Sequence, residues 1–467
     1  MLYFRSRYRV GCSRRPRQLL PALLYLLHPC SRASRDISIS VCVNSLVRLL
    51  SACVLILSVN TTQAAEVLSL NTAVTEALAA NPGLAAIEAR ARALAEIPDQ
   101  AEALPDPRLS VNIVNLPLDS FSFTQERMTQ FQVGITQALP YPGKLALRSQ
   151  VASQEAKAAE SDLEEKQLQL VRDVKTVWWN LFYLDRGLEV IARNQVLLKQ
   201  FVNIAETRYT VGRGLQQDIL LAQLELSKLS DSAIRVQNMR ENEVVRLNVL
   251  MDHPSAETIQ LPASVDETLL SAASAKVLQE RAVAVHPSLA AQTERMGAAR
   301  SRVDLAKKDY APDFKVGAVY GLRNGNNPDG SSLADLGSIM FSMNLPLFTG
   351  SKQDRAVDQR NAEWMRQKYR LHDQRNQVAA EVQQAVTDYR RAGEQAQLFK
   401  QQIIPQARQT VDAMLAGYQV GKVDFLDLVR SQTTLYDYET QYWKALSAAN
   451  QALARLVAAV GEENVYE

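Results

Sequence analysis

Two long segments with a seven-residue apolar repeat constrain the fold of this chain most strongly. The first runs from Lys144 to Tyr209 and the second from Lys352 to Tyr418. In both, the apolar positions are separated by alternating steps of four and three residues, which is the 3.5-residue period of a coiled coil. At a rise of 1.5 Å per residue, about 65 residues predict a helix roughly 100 Å long. Pro405 is the one proline within these segments, and we expect it to kink the second helix without ending it.

The chain repeats its plan once. Four landmarks recur in the same order at a spacing of 205 to 209 residues: Asn81-Pro82 and His286-Pro287, Pro105-Asp106 and Pro312-Asp313, Leu139-Pro140 and Leu345-Pro346, Tyr209 to Gly212 and Tyr418 to Gly421. Such an order at one spacing indicates an internal duplication. We therefore expect two repeats, residues 65–265 and 266–467. Each is predicted to run helix, strand, loop, strand, very long helix, turn and shorter helix.

The remaining elements follow from local patterns. A helix is expected over 70–103, with Asn71 as its N-cap and a break at Asn81-Pro82. Alternating apolar and polar residues predict four strands, at 109–113, 131–137, 314–322 and 339–345. A returning helix is expected over 218–251. The lengths suggest that two shorter helices, stacked end to end, lie alongside each long one.

Residues 1–64 differ in composition from the rest of the chain. They hold nine arginines, no lysine and one acid, whereas the remainder carries 43 basic and 49 acidic residues, so nothing suggests a nucleic-acid partner. The apolar run Leu49–Val59 and the small residues before Ala65 are typical of a secretory signal, and we expect the true start near Val43. All four cysteines lie here, so no disulfide or thiolate metal site is expected beyond it. Whether Cys53 carries a lipid stays open.

The four predicted strands are long enough to cross a bilayer when tilted, and each has one apolar and one polar face. Four strands cannot close a barrel, and an open sheet edge in lipid leaves backbone groups unpaired at several kcal/mol each. Several chains would therefore have to share one barrel. The alternative is a soluble pair of hairpins that caps a coiled coil. No segment after the leader approaches 18 uninterrupted apolar residues, so helices that span the inner membrane are not expected. An export signal together with strands of this kind favours a bacterial outer membrane.

The duplicated layout resembles the TolC-like family of outer-membrane efflux channels over residues 66–460. Four motifs carry the resemblance: Leu139-Pro-Tyr-Pro-Gly-Lys144, Leu345-Pro-Leu-Phe-Thr-Gly350, the turn Tyr209 to Asp218 and the turn Tyr418 to Asp427. The Pro-Tyr-Pro-Gly-Lys motif is most similar to that of the heavy-metal (CzcC/CusC-like) branch. The resemblance implies a mainly α fold with a small β part. It also implies a homotrimer whose shared 12-stranded outer-membrane barrel continues into a periplasmic α-helical barrel. A periplasmic adaptor and an inner-membrane pump, expected to be of the RND type, would be its partners.

The resemblance also implies roles at the tips of the helical hairpins. Asp427 matches the first acid of a ring that lines the pore, and Arg430 stands where a second acid is often found, so the ring here would be mixed. From the residues alone, the alternative is that Asp427 and Asp218 are acids that favour the positive N-terminal ends of their helices. Both interpretations, a role at the tips and a favourable place at the helix ends, stay open.

Tyr418 and Asp218 match a pair that tethers neighbouring tips in family members, and Gly212 and Gly421 mark the two tip turns. Val423 occupies a position that is basic in some members, so one tether is expected to be missing.

Neither catalysis nor a cofactor is expected. The sequence has no nucleophile–base pairing and no phosphate loop, and the histidines His253, His286 and His372 lie far apart, so no metal site is predicted. The favoured function is a passive conduit in a tripartite export system, extending from the outer membrane into the periplasm. The alternatives are a periplasmic coiled-coil adaptor and a cytosolic coiled coil. The sequence leaves the cargo open among metal ions, drugs and polypeptides.

Overall fold

The computed structural model describes residues 67–466, so the leader, the expected start and Cys53 lie outside the described residues. The first half contains α1 (Leu70–Ala80), α2 (Pro82–Ala95), α3 (Ile97–Glu102), β1 (Arg108–Val114), β2 (Gln130–Leu139), α4 (Lys144–Thr210) and α5 (Gln216–Met251). The second half contains α6 (Ala275–Val285), α7 (Pro287–Lys308), β3 (Phe314–Leu322), β4 (Leu336–Met343), α8 (Gln353–Leu398), a π-helical turn (Phe399–Ile403), α9 (Ile404–Gln419) and α10 (Phe425–Val460). The described part is mainly helical with one small sheet.

The helix expected over 70–103 is divided into three. The break at Asn81 is as predicted, because Asn81 is extended and its side-chain oxygen accepts a hydrogen bond from the amide of Leu84. A second break falls at Glu96, which the prediction missed, and Pro98 lies in the first turn of the helix that follows. The prediction of Asn71 as the N-cap is wrong. Ser69 takes that place, and its hydroxyl accepts from the amide of Thr72 at 3.1 Å.

The first long helix, α4, runs without interruption for 67 residues. The second is not uniform, because a five-residue π-helical turn separates α8 from α9. Pro405 has no amide hydrogen, and its ring crowds the carbonyl of Gln401 one turn earlier, so the backbone widens there. The proline therefore perturbs the preceding turn and the helix continues, as expected.

The strands form one antiparallel sheet in the order β1-β2-β3-β4. Three of them start and end within two residues of their predicted bounds. The fourth was shifted in the prediction, because β4 covers Leu336–Met343 and not 339–345. The side chain of Asn344 accepts a hydrogen bond from the amide of Asp313, so the chain leaves the ladder at that residue. None of the helices in residues 67–466 is both long and apolar enough to cross a membrane.

The shorter helices lie against the long ones, as their lengths suggested. Helices α1, α2, α3 and α5 pack on α4, and α6, α7 and α10 pack on α8. Towards the helical turns the packing order becomes α5, α4, α10, α9, and α9 also contacts α4 and α5 through Tyr418 and Gln419 at its end. Trp178, Trp179 and Phe182 fill the core beneath α1 and α5, and Trp178 donates to the carbonyl of Leu68 at 3.1 Å. These tryptophans are packing residues.

Candidate functional site at the paired helical turns

The two turns that end α4 and α9 share one backbone geometry. Gly212 and Gly421 have φ values of 72° and 77°, which a side chain would strain. The amide of Arg213 donates to the carbonyl of Arg208 at 2.8 Å, and the amide of Lys422 donates to the carbonyl of Gly417 at 2.9 Å. The predicted glycines therefore terminate their helices in the same way, and the duplication holds at this level of detail.

Tyr418 and Asp218 come together across the two turns. The Tyr418 side chain is buried beside Phe425, and its hydroxyl lies 3.3 Å from the Asp218 carboxylate. Burial, followed by the charge of Asp218, raises the pKa of Tyr418 to about 12. The phenol thus stays protonated and can donate through the neutral range. Asp218 also lies in the first turn of α5, so its position fits both interpretations made from the sequence.

Arg208 joins the same two turns and was missed in the sequence. Its guanidinium donates to the carbonyl of Tyr418, to that of Gln419 at 3.1 Å and to that of Arg213 at 3.1 Å. It also lies 4.6 Å over the Tyr418 ring, a cation–π contact. A basic residue in the last turn of a helix was the available signal. The matching residue of the second half is Gly417, so only the first half supplies this side chain.

Asp427 and Arg430 lie together but apart from the Tyr418–Asp218 pair. They are one turn apart in α10, and an Arg430 nitrogen lies 3.8 Å from an Asp427 oxygen. Their side chains are 53% and 69% exposed to solvent. In one chain these two residues therefore form an exposed, locally neutral pair. Val423, where a basic residue was considered, is half-buried and lies against Gly417.

A buried polar contact lies below the turns. Gln432 of α10 donates to the side-chain oxygen of Asn194 of α4 at 2.6 Å, and both residues are buried. Asn194 also donates to the carbonyl of Val190 at 2.8 Å. The Oε1 atom of Gln432 is buried and has no hydrogen-bond partner among the described residues, so the pair is only partly satisfied. Neither residue was singled out in the sequence.

A second cluster lies where strand meets long helix, in the Pro-Tyr-Pro-Gly-Lys motif. The Lys144 side chain is 3% exposed, and its ammonium lies 2.9 Å from Asp309 and 2.9 Å from Asp313. Burial alone would lower the pKa of Lys144, but hydrogen bonds to the two carboxylates raise it. For Asp313, bonds from the Tyr141 amide and Lys144 outweigh burial and lower the pKa. This motif therefore joins the first half of the chain to the second.

The register of the sheet gives it two different faces. One face is apolar except for Gln137 and bears no charge: Leu109, Val111, Ile113, Phe131, Val133, Ile135, Gln137, Leu139, Phe314, Val316, Ala318, Tyr320, Leu322, Gly337, Ile339, Phe341 and Met343. The other face consists of small, polar and basic residues with a few apolar ones. Met340 and Met343 lie on opposite faces of the sheet. The apolar face is exposed in the single chain, reaching 93% at Ile339.

The family model for outer membrane efflux proteins matches residues 73–252 and 278–462. The chain belongs to the outer membrane efflux protein family. These two matched segments cover most of the chain and include both helical turns and all four strands.

Relatives of this family member are similar over most of their length. The cobalt-zinc-cadmium resistance protein CzcC of Cupriavidus metallidurans is 21% identical over 360 residues, which is 76% of this chain and 80% of CzcC. The crystal structure of VceC from Vibrio cholerae matches with a TM-score of 0.70 and 19% identity, over 84% of this chain and 96% of VceC. Structures of CusC match with a TM-score of 0.73 and 15% identity, over 85% of this chain and 93% of CusC. The fold of this outer membrane efflux protein is therefore that of known channels.

Proposed function

We propose that three copies of this chain form an outer-membrane channel that acts as a passive conduit for export. The two unpaired edges of the sheet carry this proposal. Within the described residues β1 and β4 each pair on one side only, and the sheet exposes a continuous apolar face. Such edges are costly in lipid unless another chain pairs with them. Three copies of four strands would close a shared 12-stranded barrel.

The helices have open edges of the same kind. α5 and α9 lie at the two ends of the helical packing order and meet at the tip, where Tyr418 bonds Asp218. α5 exposes an apolar stripe whose members share one helical face: Leu220, Leu224, Ile234, Val245 and Val249. Contact between this stripe and the α9 edge of the next copy would bury it. That arrangement continues the shared barrel as a helical tunnel in the periplasm, with residues 65–265 and 266–467 as its two repeats.

The partners proposed from the family are a periplasmic adaptor and an inner-membrane pump of the RND type, which would supply direction and energy. The similarity to CzcC, a cobalt-zinc-cadmium resistance protein, supports a place in a heavy-metal efflux system. A periplasmic coiled-coil adaptor is the alternative function. The match of both halves to the outer membrane efflux family favours the channel.

The helical turns are proposed to form the closable end of the conduit. Asp427 and Arg430 would line its aperture as a mixed ring, and the Tyr418–Asp218 bond would hold the two turns of each chain together. Gly212 and Gly421 would permit the tight turns between the helices. This proposal is supported by the contacts of Arg208, which joins the same two turns.

The trimer is tested by disulfide cross-linking of edge strands. Pairs of cysteines are placed on the polar face of β1 and β4, for example Ser110→Cys with Ser338→Cys or Ser342→Cys. Within one chain these strands are three spacings, about 14 Å, apart, too far for a disulfide. Every cross-link must therefore join two chains. We expect at least one pair to give bands of two and three chain masses and none larger. A chain that stays monomeric in every pair, and is soluble without detergent, overturns the proposal.

A further inference from the structure

We propose that Arg108 and Lys315 form a ring of positive charge inside the barrel, so that this channel conducts anions and acidic solutes in preference to cations. The inference rests on the proposed function, because the ring exists only when several copies close the polar face around water. It addresses the class of cargo, which neither the sequence nor the family decides.

The polar face of the sheet carries charge of one sign only. Its strand residues are Arg108, Ser110, Asn112, Val114, Gln130, Gln132, Gly134, Thr136, Ala138, Lys315, Gly317, Val319, Gly321, Leu336, Ser338, Met340 and Ser342. Two of these residues are ionisable, and both are basic. The apolar face has no ionisable group except the neutral Tyr320, so the net charge of the strands lies entirely on the face that would meet water.

Arg108 and Lys315 lie near the end of the sheet that adjoins the helices. The direct partner of Arg108 is Thr136, and the partners of Lys315 are Ala138 and Ser342. These neighbours are small and uncharged, so they leave the two long side chains free to extend. Both basic residues are exposed, and neither forms an ion pair with any residue from 67 to 466. Their charges are therefore not cancelled by a contact.

The carboxylates near this level are largely committed elsewhere. Asp309 and Asp313 both bind the ammonium of Lys144. Asp106, two residues before Arg108, is exposed and stays available to oppose it. Asp309 and Asp313 are offset by Lys144 and by the nearby charge of Arg148, so Asp106 against Arg108 and Lys315 leaves one excess positive charge in each copy. Three copies would triple it around one opening, and walls of low dielectric concentrate such a field.

The charges of the proposed aperture at the helical turns are balanced. Asp427 and Arg430 lie 3.8 Å apart, so a ring built from them has no net charge. The loops at the far end of the strands carry a net negative charge beyond the strand wall, from four acids and two arginines: Asp119, Glu126, Asp329, Asp335, Arg127 and Arg323. Arg108 and Lys315 are therefore the uncompensated charges of the strand wall itself. A free divalent metal cation would meet a barrier there, whereas an anionic or anion-complexed solute would not.

The test measures ion selectivity of the purified full-length assembly in planar bilayers. Under a tenfold KCl gradient, we expect the reversal potential to lie on the chloride side. In the double variant Arg108→Gln/Lys315→Gln, the ratio of chloride to potassium permeability should fall by about threefold or more, as expected for loss of charges within a few ångströms of the ion path. Asp106→Asn should raise the ratio. Arg323→Gln, a loop cation at the other end of the strands, serves as the matched control and should leave it unchanged.

Two further arms keep the outcomes separate. Repeating the series with Tyr418→Phe/Asp218→Ala ensures that the helical turns do not limit the current. Hexacyanocobaltate(III), a trivalent anion, should block the wild type from the strand side and lose that effect in the double variant. A preference for potassium, or a permeability ratio that does not change in the double variant, would contradict the proposed ring but not the proposed channel. A preparation that forms no channels at all overturns the proposed function instead.

Discussion

The hydroxyl of Tyr418 lies 3.3 Å from the carboxylate of Asp218, although 200 residues separate them in the chain. The contact joins the end of α9 to the start of α5, and so joins the two hairpins of one chain at their tips. It lies over an apolar cluster that includes Phe201 and Leu428. A hydrogen bond in this place can be lost without unfolding the helices beneath it, which is what a closable end requires.

Removal of the Tyr418–Asp218 bond should favour the open end. In Tyr418→Phe/Asp218→Ala the ring still packs on Phe425, but a bond to a charged group is gone, worth about 1 kcal/mol at this distance, or roughly fivefold in the open population. Single-channel conductance or open time in planar bilayers should rise. Tyr209→Phe is the matched control, because Tyr209 holds the equivalent place in the first half and is half exposed. A conductance equal to that of the wild type would show that the Tyr418–Asp218 bond does not hold the end closed.

Arg208 should contribute to closure of the helical turns at least as much as the Tyr418–Asp218 bond does. Arg208→Ala frees the carbonyls of Tyr418 and Gln419 at the end of α9 and removes the cation over the Tyr418 ring. We expect a larger rise in conductance than for the Tyr418 and Asp218 variant. Arg208→Lys should be intermediate, since an ammonium keeps the charge but cannot reach three carbonyls in a fork. Arg213→Ala changes a neighbouring exposed arginine and should have no effect; an equal response from both would point to general charge loss.

Lys144 should control stability in a pH-dependent way. Lys144→Met leaves Asp309 and Asp313 without their cation, at a cost of about 2–4 kcal/mol. The pKa of Asp313 is lowered. The stabilisation that Asp313 contributes is therefore fully present at pH values above the ordinary pKa of an aspartate, and it is lost as the pH falls through the lowered pKa. The pKa of Lys144 is raised, so its share persists until alkaline pH.

The unfolding temperature of the detergent-solubilised protein measures this effect. The gap between wild type and Lys144→Met should be constant from about pH 5 to about pH 9 and should narrow below about pH 4. Lys352→Met, an exposed lysine at the corresponding junction of the second half, is the control and should shift little. A gap that does not change in acid would show that packing, and not the ion pair, explains the loss.

The two faces of β4 should respond oppositely to charge. Ile339 is on the apolar face and 93% exposed, so Ile339→Lys places an ammonium in lipid at about 2–4 kcal/mol near the membrane centre. Ser338→Lys, one residue earlier, puts the same charge on the polar face. We expect the first variant to reduce the amount of SDS-resistant trimer in outer-membrane fractions and the second to leave it near wild type. Equal tolerance of both would favour hairpins outside the membrane.

Much of this protein is determined by its sequence alone. The heptad repeat predicted the long helices because apolar spacing acts locally and repeatedly over many turns. The duplicated landmarks predicted the element order, and the alternating residues predicted the strands. The glycines of both turns were found because positive φ is a local demand of the backbone.

Only the tertiary structure decided which distant side chains meet. Lys144 and Asp313 were each visible in a motif, yet their contact spans 169 residues and depends on β2 and β3 pairing side by side. Arg208 looked like an ordinary cation at a helix end, and its three carbonyl partners exist only once both turns are folded and adjacent. Spacing in a sequence reports the period of one element. The pairing of two elements is fixed by packing, because side chains far apart in the chain fill the same space.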